Sequence, residues 1–69
     1  MIRIPSNSFA AACYDQNSLA DLQKALDDGP DETDMKEWNL TEWEWRAQIE
    51  LAMAAKREDS YSRNLNHIV

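Results

Sequence analysis

The sequence predicts a small all-α domain: a short N-terminal helix, then a helical hairpin, closed by packing against a second copy of itself as a helix-packed homodimer. Three observations carry this. Apolar residues recur at helical spacing in three segments. The longest of these opens on a capping box and holds no Gly or Pro. The chain has only 69 residues, with one cysteine and one histidine. That is near the lower size limit for a domain folding alone. Neither an intrachain disulfide nor a structural zinc site is available to complete so thin a core, which leaves a second chain.

The first helix is expected over residues 6–14, after Pro5, with Ser6 or Ser8 as its cap. Phe9 and Cys13 are four apart and share a face. Cys13, beside Ala and Tyr, reads as a small buried hydrophobe, since no sequence neighbour favours a thiolate. Met1 to Ile4 alternates Ile with other residues and suits a short strand, but no second strand is evident.

The second helix is expected over 18–28. Ser18 caps it, and Asp21 stands where the helix dipole favours an acid. Leu19, Leu22 and Leu26, with Ala25, form one narrow apolar face. Gly29 and Pro30 end it. The connection 29–40 is expected to be an acidic loop in which Asp34 and Glu37 have the spacing for one helical turn.

The third helix is expected over 41–58. Thr41 and Glu44 make its capping box, and Leu40 and Trp45 have hydrophobic-staple spacing. Beyond it, Asp59 to Asn66 is polar; fraying is expected there, with Leu65, Ile68 and Val69 folding back. On a helical wheel this helix carries two apolar stripes. Trp45, Ile49, Ala52 and Met53 form one; Trp43, Ala47, Leu51 and Ala54 form the other, nearly opposite. One stripe closes the protomer core and the other needs a cover, for which a second copy of the helix is economical. Ile49, Leu51, Ala52 and Met53 are thus core or dimer residues, with the choice of stripe open. A monomer wrapped by its own termini is the competing arrangement.

The formal charge is −6, from 13 acids and 7 bases. Residues 27–37 hold six acids (Asp27, Asp28, Asp31, Glu32, Asp34, Glu37) against Lys36, a net of −5. Direct nucleic-acid binding needs the opposite sign. A patch built on Asp31, Glu32 and Asp34 steers a basic protein surface instead, or simply keeps a small protein soluble. Trp38, Trp43 and Trp45 fall within eight positions, and Arg46 follows at once, with Glu50 four residues on. Trp and Arg dominate interface hot spots, so Trp45, Arg46, Glu50, Trp38 and Trp43 are the candidate partner-binding residues. Trp43 and Trp45, two apart, cannot share a face, so at most one enters the core. For Trp45 the staple role competes with the hot-spot role.

No phosphate loop, catalytic triad or metal-ligand pattern is present, and no catalysis and no cofactor are expected. His67 reads as a tail residue. No apolar run approaches a membrane span and no signal peptide is read, so a soluble, cytoplasmic protein is expected.

A-C-Y-D, then the L-x-x-L-x-x-x-L helix, then D-E-T-D-M, then W-x-L-T-x-x-x-W-R with an Ala-rich helix after it, span residues 6–57. This pattern resembles a group of short proteins of Mu-like phages and prophages. Within the group, the length, the acidity and the Trp45-Arg46 pair are similar to the quorum-sensing anti-activators of Pseudomonas phages. Those are small helical dimers made early in infection. The resemblance implies a host-cytoplasmic inhibitor that binds LasR, a LuxR-type regulator, and the type IV pilus assembly ATPase. It implies Trp45 and Arg46 as the contacts. Two other readings stand beside it. One is an acidic DNA mimic against a host nuclease or CRISPR complex, which needs carboxylates spread at phosphate spacing. The other is a structural or adaptor protein of a phage particle.

Overall fold

The computed structural model describes the backbone over residues 3–68 and the side chains over residues 3–60. Four helices follow one another: α1 (Phe9–Gln16), α2 (Leu19–Asp28), α3 (Glu32–Trp38) and α4 (Glu42–Ile68). The class is all-α, as predicted, with no strand among the described residues. Of residues 1–4, whose pattern suits a short strand without a partner, Met1 and Ile2 lie outside the described residues, and Arg3 and Ile4 are in no strand.

α1 starts later than expected, because Ser8 and not Ser6 is the cap. The Ser8 Oγ accepts from the Ala11 N–H at 3.2 Å and donates to the Pro5 carbonyl at 2.7 Å. Ser6 and Asn7 are thereby held in a turn that the Ser8 N–H closes onto Pro5. α2 forms as read, with a complete capping box: Ser18 Oγ accepts from the Asp21 N–H at 3.2 Å, and the Ser18 N–H donates to Asp21 at 3.3 Å. Gly29 ends it at φ 100°, a torsion that L side chains rarely adopt. No atom lies within 4 Å of where its Cβ would stand, so the demand for glycine there is torsional alone.

The connection 29–40 is the main departure, since it folds into α3. Asp31 Oδ1 accepts from the Thr33 N–H at 2.8 Å and starts a seven-residue helix. Glu32 and Asp34 in the first turn and Lys36 in the last suit its dipole. Asn39 closes it in the left-handed region (φ 55°, ψ 52°), and the Leu40 N–H reaches back to the Met35 carbonyl at 2.9 Å. The cap therefore lies three residues before the Asp34–Glu37 pair singled out in the sequence. α4 opens on the expected box: the Glu44 N–H donates to Thr41 Oγ1 at 3.2 Å and the Thr41 N–H to Glu44 Oε1 at 3.1 Å. It does not end near Glu58. With no Gly or Pro in the polar segment, backbone bonding continues to Ile68 and the chain does not turn back. The side chains of Leu65, His67, Ile68 and Val69 lie outside the described residues.

The first three helices pack on α4, α1 most extensively and α3 least. The core is Phe9 and Cys13 from α1, Leu22 from α2, and Trp45, Ile49, Ala52 and Met53 from α4. Leu19, Ala25, Leu26, Met35, Trp38 and Leu40 close over its edges. The Trp45 stripe is thus the protomer core, which decides between the two stripes. A polar contact fixes how α1 sits: the Ala10 N–H, fully buried near the start of α1, donates to Gln48 Oε1 at 3.1 Å. It supplies one of the partners a helix N-terminus lacks.

Trp45→Ala is expected to lower unfolding free energy by about 3–5 kcal/mol, while Trp43→Ala changes it by less than about 0.5 kcal/mol. Urea titration followed by far-UV circular dichroism reads both. Equal losses in the two variants would contradict this core.

Candidate interaction surface

At 100° per residue, the side of α4 opposite Trp45 carries Trp43, Ala47, Glu50 and Ala54, with Arg46 and Arg57 on one flank and Leu51 on the other. Trp43 is 76% exposed, alone among the large hydrophobic residues described. Arg46 stands beside it, with Nη2 3.7 Å from Glu42 Oε1 one turn earlier. Both side chains of that pair are open to solvent, so it contributes only a few tenths of a kcal/mol and leaves the guanidinium free to exchange partners. Glu50 is exposed on the same side; Ala47, Leu51 and Ala54 are half-buried. The outer face is therefore an indole and a guanidinium beside a strip of small apolar residues.

The other candidates are placed differently. Trp45 is 1% exposed and packed within its own chain, so in this fold its indole is not a contact that a partner reaches. The staple position draws it inward, together with Leu40. Trp38 is half-buried, its ring tilted at 51° against Phe9 with centroids 5.9 Å apart. Ile49, Ala52 and Met53 are core; Leu51 is not. The three acids of the presumed loop separate. Asp31 is spent on capping α3, and Glu32 is exposed. Asp34 turns inward, where the Trp45 Nε1–H approaches its Oδ2 at 3.5 Å, long for a hydrogen bond.

Two contacts escaped the sequence reading because they join residues far apart in the chain. One is Gln48 on Ala10. The other is Tyr14, whose hydroxyl donates to Asp59 and whose ring lies 4.6 Å from the Lys56 ammonium. Neither has a local signal beyond the one-turn spacing of Lys56 and Asp59.

Cys13 is buried, and its thiol is pushed up to about 11, first by loss of solvent and then by the negative charge of Asp34. The thiolate is the nucleophile, so this thiol is inert at neutral pH. Among the described residues, no group of three or more His, Cys, Asp or Glu is placed to hold a metal ion, and no helix is long and apolar enough to cross a membrane.

The Cys13 pKa sets a pH dependence. The group's folded pKa is raised, so the folded chain prefers the protonated thiol. The resulting stability is full below the ordinary thiol pKa of 9.0 and is lost as pH rises toward about 11. Alkylation of Cys13 in the native protein is expected to be slow at pH 8 and to accelerate through that window, while Cys13→Ser flattens the alkaline fall in melting temperature. Rapid alkylation of the native protein at pH 8 would show the thiol to be exposed. No family model matches the chain, and neither a curated protein nor a solved structure matches it.

Proposed function

We propose that the protein is an inhibitory binding protein, which disables a host protein by direct contact through the outer face of α4. The observation that carries this is Trp43, a large aromatic left three-quarters in water on the face opposite the core, with Arg46 beside it. Tryptophan and arginine are both enriched among the residues that carry most of the binding energy at interfaces. The sequence put the aromatic half of that pair on Trp45; the reading now rests on Trp43, Arg46 and Glu50. The acids of α3 add a negative field that favours a basic partner surface, as on a DNA-binding domain. The resemblance to the phage anti-activators, on the sequence motifs alone, supports the finer reading. In that reading the chain is phage-encoded, acts in the host cytoplasm, blocks DNA binding by the LuxR-type regulator LasR, and also engages the type IV pilus assembly ATPase. The homodimer belongs to the same proposal. Ala47, Leu51 and Ala54 leave the strip that a second copy covers, next to the partner-binding end of the helix.

Trp43→Ala and Arg46→Ala are each expected to weaken binding to purified LasR by about 2 kcal/mol or more, roughly thirty-fold, at parental melting temperature. If both bind like the parent, the surface assignment is wrong. If the parent itself does not bind LasR, the partner assignment is wrong.

Light scattering at micromolar concentration is expected to give twice the chain mass, and Leu51→Glu to give the single mass, because a charge on the covered strip has no partner. A parental protein of single mass removes the dimer.

A further inference from the structure

On the outer side of α4, Glu50 and Arg57 border the face that Ala47, Leu51 and Ala54 run along, and both charges are exposed. They stand seven residues apart, so they lie on nearly one line along the helix, about 10 Å from each other. Among the described residues neither is in a hydrogen bond or ion pair. Glu50 has Arg46 one turn before it, but that guanidinium turns to Glu42. Arg57 has Met53 and Ala54 one turn before it and Ser60 and Tyr61 one turn after, none of them acidic. Trp43 continues the same line one heptad toward the start of the helix and is 76% exposed. The face is thus apolar along its middle, with two opposite charges on one border that its own chain leaves unmatched.

We infer that a second copy of α4 covers this face lying antiparallel, with Glu50 of each copy paired to Arg57 of the other. The signs of the charges select both the occupant and its direction. A two-fold axis passing between Glu50 and Arg57 brings the charged border of one helix against the same border of the other, running the opposite way. Each carboxylate there meets a guanidinium, and the pairing occurs twice because the interface is isologous. A parallel pair places the two charged borders on opposite sides of the seam, where neither charge finds its opposite. The antiparallel register also sets Leu51 of each copy beside Ala54 of the other, a large side chain against a small one, as close packing of two helices requires. It carries the two Trp43–Arg46 patches to opposite ends of the pair, about 30 Å apart. The inference rests on the homodimer proposed above and adds its direction, its register and its ion pairs.

The test exchanges charge between copies, with the dimer dissociation constant read by sedimentation equilibrium over a concentration series. Glu50→Arg sets arginine against arginine at both pairs, and Arg57→Glu sets glutamate against glutamate. Each is expected to raise the dissociation constant about tenfold or more. Glu50→Arg makes the chain less negative and Arg57→Glu makes it more so, hence a loss common to both is not general repulsion. Both positions are exposed, so each variant is expected to keep the parental circular dichroism. Mixed one to one, the variants match at both pairs, because one chain brings two arginines and the other two glutamates. The mixture is expected to regain the dimer that neither variant forms alone. A parental protein of single mass overturns the homodimer and this inference with it. A parental dimer that either variant leaves unchanged, or a mixture that stays at single mass, overturns the antiparallel pairing and leaves the homodimer standing.

Discussion

The burial of Trp45 is the constraint on which the rest of the structure depends. A chain of this length has few large side chains to bury, and among the described residues Trp45, Leu22 and Ile49 are the largest that disappear entirely. The indole lies one turn into α4, so the capping box at Thr41 and Glu44 decides where it points. α1 and α2 then pack along the stripe that follows from it, through Phe9, Cys13 and Leu22. A tryptophan in a core also needs somewhere for its N–H, and here the inward turn of Asp34 offers an acceptor, although a distant one. α3 is thus tied to the core by the same residue that anchors α4.

How much of this the sequence discloses depends on the range of the interaction. Ser18 with Asp21 and Thr41 with Glu44 are contained within four residues, and both boxes form as their spacing dictates. Gly29 is a torsional signal and is equally local. Of α3 only a single turn at Asp34–Glu37 is legible, for a physical reason. Its acids read as charge, whereas Asp31 acts as a cap and Asn39 as a left-handed stop. Both residue types are ambiguous between loop and helix terminus until a backbone partner is seen. The end of α4 is not legible from polar composition, because polar side chains leave the backbone bond intact; proline, which lacks the N–H, and glycine, a poor helix former, are both absent from the segment.

The candidate surface was half legible. Periodicity alone showed two opposed stripes and required Trp43 and Trp45 to part company. It carried no information on which faced inward, because that depends on where α1 and α2 dock. The Gln48 bond to the buried Ala10 N–H is part of that docking, joins residues 38 apart in sequence, and has no local signature.

The two-residue offset between Trp43 and Trp45 has an evolutionary consequence. One indole is buried by folding, while the other stays 76% exposed and adds little apolar burial to the native state. The exposed positions on the outer arc of α4, Trp43, Arg46 and Glu50, are correspondingly less constrained by folding. A lineage under pressure from changing targets can rewrite that arc one position at a time, each intermediate remaining folded and testable by selection. If the outer face of α4 is the binding surface proposed above, recognition and folding lie on opposite sides of one helix, and specificity is adjustable at little cost in stability.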